Sequence, residues 1–236
     1  MNYLLMICAG EEREPGTPRM AIEQWVEQAD RAGTRLLGRP LDSPETAVTV
    51  RVRDGRTLCS DGPFTESKEF IAGFDIVDCA DLDEAIELAA NHPVAGFGIV
   101  EVRPLADGFE LPAAAREWAR SEPDDSWALL MCVDGIPAGD EEEAAIRAAA
   151  RTWGERLTER GTLVTGHGLA HADTATSVRV SAGETVLSDG PFAETEEFIA
   201  GFAILQGINR DEAVRLAAEF PVAAYHRVEV RKFSDG

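Results

Sequence analysis

Apolar positions along this chain switch between a strand period and a helix period, and the whole series occurs twice. Tyr3 to Cys8 is a continuous apolar run, short enough for a buried strand. Ile22, Trp25, Val26 and Ala29 then recur at helical spacing, with Thr17 as the expected cap, Pro18 at the first helical position and Gly33 as the stop. Val48, Val50 and Val52 alternate with polar residues, as in a strand with one buried face, and Asp54-Gly55 predicts the turn of a hairpin. Phe70, Ala72, Phe74 and Ile76 alternate in turn and are expected on one face of a strand from Phe70 to Val77. Asp81 caps a predicted helix carrying Ala85, Leu88 and Ala89 inward, Pro93 lies past its end, and Phe97 to Arg103 is a closing strand.

The second series opens at Trp127 to Val133. Asp140 with Glu143 has the form of a capping box ahead of Ile146, Ala150, Trp153 and Leu157, and Gly161 ends that helix. Val178 and Val180, the Ala182-Gly183 turn, a strand from Phe198 to Leu205, the Asn209-capped helix and a strand from Tyr225 to Arg231 complete it. Trp25 and Trp153, Gly33 and Gly161, Pro93 and Pro221 are each 128 residues apart, and residues 60–74 match 188–202 at 12 of 15 positions. Such a repeat is two copies of one supersecondary unit. The element order is that of a split β-α-β, or ferredoxin-like, unit, an α+β fold whose antiparallel sheet carries both helices on one face. The open face of each sheet needs cover, and the tandem copy offers it. The expected organisation is a first unit at 1–103, a linker at 104–126 with a short helix from Leu111 to Arg120, and a second unit at 127–236.

Charge changes the picture of partners. The 43 acidic and 22 basic side chains of the 236 residues give a net charge of −21, and Lys68 and Lys232 are the only lysines. Neutralising phosphates needs clustered cations, so direct nucleic-acid binding is not expected. Cys8, Cys59, Cys79 and Cys132 have no C-x-x-C spacing and are expected as reduced thiols, three of them in apolar strands. The first apolar run is too short for a membrane span and has no basic flank, so a cytoplasmic, membrane-free protein is expected. No Walker, Rossmann, nucleophile-elbow or Cys/His metal pattern is present, and neither a cofactor nor a metal is implied.

The motif D-G-P-F-x-E-[ST]-x-E occurs at Asp61 to Glu69 and again at Asp189 to Glu197, with Gly38 to Leu41 and Gly166 to Leu169 and the closing Val-Glu-Val-Arg strands in both copies. These residues resemble the signature of the DGPF proteins, a branch of the YCII-related family, over nearly the whole of each copy. The resemblance implies ferredoxin-like units paired as a dimeric α/β barrel, here an intramolecular pseudo-dimer. Members of that family are often encoded beside extracytoplasmic-function sigma factors.

Read physically, Asp-Gly-Pro is a stiff turn: glycine permits unusual dihedrals and proline fixes φ. It either serves only as a turn or presents Asp61 and Glu66, or Asp189 and Glu194, to a cavity between the sheets, where carboxylates orient a ligand or move a proton. Arg51 and Arg179 stand at matching strand positions; they are solvated by default, and bind an anionic ligand if they face that cavity. YCII-type proteins are thought to use a His with an Asp, and only the second copy has the pair, His167 and Asp189, since Arg39 stands where His167 does. These are the candidate acid/base residues. His171 is in no helix that would set metal geometry with His167, His92 reads as a helix-end residue and His226 as a strand-surface residue. Asp75 faces Ala203 at the matching position, so two pockets built from these copies are not chemically alike. The expectation is a small-molecule-binding α/β-barrel protein with an unidentified, anionic ligand and weak acid/base chemistry in the second copy, as a monomer or homodimer. The alternative is a non-catalytic regulatory protein with a protein partner such as a sigma factor.

Overall fold

The structure, a computed structural model, describes residues 1–10, 18–64, 69–121, 125–134, 140–192 and 197–234. In the first copy β1 (Asn2–Gly10) leads to α1 (Ile22–Ala32), β2 (Arg35–Pro40), the hairpin β3 (Val48–Arg53) and β4 (Arg56–Asp61), β5 (Glu69–Asp78), α2 (Leu82–Asn91) and β6 (Ile99–Pro104). A linking helix, α3 (Ala113–Arg120), precedes the second copy: β7 (Trp127–Asp134), α4 (Asp140–Glu159), β8 (Leu163–Gly168), β9 (Thr176–Ser181), β10 (Glu184–Asp189), β11 (Glu197–Leu205), α5 (Arg210–Glu219) and β12 (Arg227–Lys232). The class is α+β, as the element order predicts.

Two six-stranded antiparallel sheets result, and neither belongs to one copy alone. Their strand orders are β10-β9-β6-β1-β5-β2 and β4-β3-β12-β7-β11-β8. Each hairpin is exchanged into the sheet of the other copy, with Val48 opposite Val230 on β12 and Val178 opposite Val100 on β6. The alternating valines explain why. Val48 and Val50 lie beside Trp153, Leu157 and Leu216 under the second copy's helices, and Val178 and Val180 lie beside Trp25 and Ala89 under the first copy's. A one-sided apolar hairpin cannot be stable alone and takes up the helix layer across the pseudo-two-fold. The outer strands β4 and β10 are exposed throughout, including Leu58, Val186 and Leu187.

The inner faces of the two sheets meet in a third apolar core. Phe74 and Phe202, at matching positions, approach with ring centroids 5.5 Å apart, and Phe233 packs on Phe74 and on Trp118. Trp118 comes from α3, which touches both β2 and β8. Its indole N–H donates to Ser126 Oγ at 3.0 Å, so its one polar atom is satisfied inside the core. Two isolated antiparallel bridges, Leu41 with Phe233 and Leu105 with Leu169, join the sheets at their corners. Among the described residues no helix is long and apolar enough to cross a membrane.

Several local expectations need correction. Strand β2 has no counterpart in the predicted elements, and of β8 only a strand end at His167 is expected, because Gly38, Pro40, Gly166 and Gly168 interrupt their apolar pattern. α1 starts at Ile22, with Ala21 at the cap position and no side-chain cap; Pro18 precedes the helix, and Thr17 lies outside the described residues. α4 already includes Asp140, so its cap also lies outside them. The strict alternation expected of β5 breaks at a bulge: Ile7 pairs with Gly73 and Cys8 with Ile71, which skips Ala72. Ile71 therefore joins Phe74 and Ile76 in the inner core, and Ala72 turns outward. Asp81 and Asn209 do cap their helices, accepting from Glu84 N and Glu212 N at 3.0 and 2.9 Å.

Because every sheet contains strands of both copies, the two copies are expected to unfold together. Calorimetry should give one transition with a calorimetric to van't Hoff enthalpy ratio near one; two resolved transitions would mean that each copy is stable alone.

Candidate functional site

The DGPF segment is the crossover between sheets. β4 ends at Asp61 in one sheet and β5 starts at Glu69 in the other, and β10 and β11 are related in the same way. Gly62 has φ +95°, a left-handed value that glycine alone adopts freely, and so has Gly190. The Gly62 amide donates to Ala47 O at 2.9 Å, and Thr49 Oγ1 donates to Gly62 O at 3.0 Å; Gly190 has the same partners in Ala175 and Ser177. The next residue held is the phenylalanine. Phe64 N donates to Glu229 Oε2 at 2.9 Å, and Phe192 N donates to Glu101 Oε2 at 2.8 Å. Each loop is thus gripped by the closing Val-Glu-Val-Arg strand of the opposite copy.

The gripping carboxylates are buried and paired. Glu101 bonds Arg103 and Glu229 bonds Arg231, the latter at 3.1 Å, with all four side chains at most 2% exposed. Burial pushes the Glu101 carboxyl up from its usual range, while Arg103 and the Phe192 amide pull the other way. Arg103 also donates to Ile199 O at 3.2 Å, and Arg231 donates to Asp42 O. Between the sheets, beside Phe64, Phe192, Glu101 and Arg103, there remains a space of only about 10 Å³, at most a single water. Among the described residues, the space between the sheets is occupied by the inner apolar core.

The predicted site residues are scattered by this arrangement. Asp61 is exposed and pairs with Arg210 at 3.6 Å, and Asp189 is exposed on the outer strand β10. Glu66 and Glu194 lie outside the described residues. Arg51 and Arg179 alternate with valines of the outer cores, so they stand on the inward faces of the hairpins, half-buried. His167 sits on β8, in the other sheet from Asp189. Its Nε2 bonds Ala106 O at 2.9 Å, and its ring meets Phe109 edge-on at 5.3 Å. No hydrogen bond joins His167 to Asp189. Arg39, its counterpart, stacks on Trp118 at 4.7 Å and donates to Trp118 O and Ser121 O. The Arg39/His167 difference thus follows the linker, which His167 holds where it starts and Arg39 where it ends.

A different group of polar side chains converges on a cavity. Between α1 and the outer face of β5 lies a space of about 470 Å³, within the usual range of ligand sites. Ile22 and Val26 from α1, Phe97 and Val94 form apolar walls; Arg35, Asp75 and His92 are polar groups of its lining, and Arg39, whose guanidinium is held by the linker carbonyls, also borders it. Arg35 Nε donates to Asp75 Oδ1 at 2.7 Å, Nη1 to Asp30 at 3.2 Å and Nη2 to Gly38 O at 2.6 Å. Gly38 is required here: a Cβ on it would lie 1.7 Å from Asp75 Oδ1. Burial pushes the Asp75 carboxyl above its usual range, against the pull of Arg35. His92 stands at the end of α2, as expected, and is 5% exposed, edge-on to Trp25 at 4.7 Å, with its Nδ1 accepting from Val94 N at 3.2 Å. That bond leaves the proton of the neutral ring on Nε2. Burial, with Arg35 nearby, lowers the His92 pKa to about 4.

The second copy lacks every member of the group. Leu163, Ala203 and Phe220 replace Arg35, Asp75 and His92, and all three pack in its outer core, where Phe220 meets Trp153 at 4.7 Å as His92 meets Trp25. Setting the two copies side by side is the signal that finds this site; of its three polar positions the sequence reading used only Asp75.

The YCII-related domain, as a sequence profile, matches residues 1–107 and again 127–234. The chain belongs to the YCII-related family. It is also similar to an uncharacterized protein of Rhizobium meliloti (strain 1021), 48% identical over 62 residues, which are 25% of this chain and 50% of that relative. The chain thus matches about half the length of this curated relative.

Two measurements test these sites. Removing one partner of a buried pair leaves the other uncompensated, so Glu229→Ala should lower the unfolding free energy by about 3–5 kcal/mol in urea titrations; a loss under about 1 kcal/mol would mean that the Phe64 loop is held by other contacts. His92 binds a proton near pH 6.5 when unfolded and only near 4 when folded, so the unfolded state carries more protons between these values. Its contribution is complete above pH 6.5 and is lost as the pH falls toward 4, on the order of 3 kcal/mol. Asp75 and Glu101, raised by burial, act in the opposite sense, so the readout is a difference: His92→Phe should flatten the pH–stability slope between 6.5 and 4 relative to the parent, and parallel curves would contradict the assignment.

Proposed function

We propose that this YCII-related protein binds a small, mainly apolar molecule in the cavity beneath α1 of the first copy. The observation that carries the reading is the convergence of Arg35, Asp75 and His92 on a mainly apolar cavity in one copy, where the other has Leu163, Ala203 and Phe220. A repeat kept for architecture alone has no physical need for two buried polar side chains and a largely buried arginine, which are costly away from water. The dimeric α/β-barrel description suits the body that holds the cavity and draws support from the two corner bridges between the sheets. Acid/base chemistry at His167 draws none from its surroundings, since its Nε2 is engaged with Ala106 O.

The test uses N-phenyl-1-naphthylamine, a neutral probe that fluoresces in apolar surroundings. Its signal should rise with the parent protein, and Val26→Trp, which fills the cavity, should weaken binding at least about tenfold without lowering the melting temperature. Equal binding by the parent and a folded Val26→Trp variant would place the probe elsewhere and remove the basis of the reading.

A further inference from the structure

The polar end of the cavity has a definite hydrogen-bonding character. Each of the three guanidinium nitrogens of Arg35 already makes a bond, to Asp75, Asp30 and the Gly38 carbonyl, and Arg39, the other cation of the lining, is held by the Trp118 and Ser121 carbonyls, so both cations bordering the cavity are already engaged by the protein. Two carboxylates sit on the Arg35 guanidinium, at 2.7 and 3.2 Å, and a third anion would meet their repulsion in a low-dielectric site. His92 and Asp75 add one donor and one acceptor. His92 spends Nδ1 on the Val94 amide, and its Nε2–H has no partner among the described residues. Asp75 takes Arg35 on Oδ1, and its Oδ2 accepts from no described residue. Both side chains are more than nine-tenths buried and line the same cavity. A ligand that meets both this donor and this acceptor exchanges their contact with water for two hydrogen bonds in a largely apolar site.

Resting on the small-molecule reading, we propose that the cavity selects an uncharged, apolar ligand whose polar end is a hydroxyl group, which accepts from His92 Nε2–H and donates to Asp75 Oδ2. The walls formed by Ile22, Val26, Val94 and Phe97 take the hydrocarbon body, and a single hydroxyl is the smallest group that both accepts and donates. The anionic ligand expected from sequence is disfavoured by the two carboxylates that Arg35 already carries and by the engagement of Arg39 with the linker. A protonated amine would satisfy Asp75 but leave His92 Nε2–H without an acceptor.

Four probes of one shape separate these chemistries: 2-naphthol, 2-naphthoate, 2-naphthylmethylamine and 2-methylnaphthalene, titrated calorimetrically into the intact protein and into Val26→Trp. The naphthol should bind roughly ten- to a hundredfold more tightly than each of the other three. His92→Phe, which installs the residue of the second copy, and Asp75→Asn should each remove most of that preference while leaving 2-methylnaphthalene binding within about threefold. A preference for the naphthoate or the amine, or a naphthol preference that survives in His92→Phe, overturns the hydroxyl assignment and leaves the cavity as a binding site. If Val26→Trp affects none of the four, or none binds at all, the cavity reading itself fails and this proposal with it.

Discussion

The grip of each closing strand on the opposite copy's DGPF loop is the constraint from which the rest of the architecture follows. Glu101 and Glu229 lie where water cannot reach them, so each must be compensated within the protein. One oxygen takes the arginine two residues along the same strand, and the other takes a backbone amide of the opposite copy. The dependence is mutual. The loop amide gains a charged acceptor, which makes a stronger bond than a neutral one, and the carboxylate gains the donor it requires. Since the loop carries the chain from one sheet to the other, holding its phenylalanine also positions the hairpin before it and the strand after it. Hairpin exchange, inner core and corner bridges are consequences of a crossover held at one point in each copy.

The pseudo-two-fold body is joined by a linker that cannot itself be two-fold, and this asymmetry accounts for part of the divergence between copies. α3 touches β2 and β8, and Trp118 extends the inner core toward Phe233. A polypeptide crossing a symmetric body meets equivalent positions with different atoms. Position 39 faces the carbonyls at the helix end and is an arginine; position 167 faces a carbonyl and Phe109 at the linker's start and is a histidine. Both satisfy backbone oxygens near the core, the usual employment of buried polar side chains. Of the differences the sequence reading set against a shared chemistry, this one has a structural cause.

The fold was legible because period, caps and repeat agreed. The valine alternation of β3, the glycine turns and the Asp81 and Asn209 caps are local signals, and each produced the element it implies. Strand β2 was not legible, since Gly38 and Pro40 break its pattern for reasons that exist only in three dimensions: Gly38 makes room for the Asp75 carboxylate. The bulge at Ala72 shifted the inward set by one residue, which alternation alone does not register. Nor was the hairpin exchange, because the valines of β3 suit either sheet equally. The candidate site was the least legible part. The motif residues are conspicuous and their described part forms a crossover, whereas Arg35, Asp75 and His92 are scattered over 58 residues and look ordinary until Leu163, Ala203 and Phe220 are set beside them.

Three separate cores make it possible for one copy to change in this way. The inner core and the second outer core share no side chain with the outer core under α1 and α2. Polar substitutions at positions 35, 75 and 92 therefore disturb only the outer face of one sheet, while the grip on both loops, whose Glu–Arg pairs bind the opposite copy's loops, is untouched. A cavity costs stability in proportion to the contacts its walls forgo. In a separate ferredoxin-like unit that loss would fall on a small core with a modest margin. In the fused chain it falls on a body whose sheets each draw strands from both copies, so the fully packed second copy supports the strands that border the cavity of the first. The tandem repeat thus does more than duplicate a fold: it lets one copy provide packing while the other departs from it.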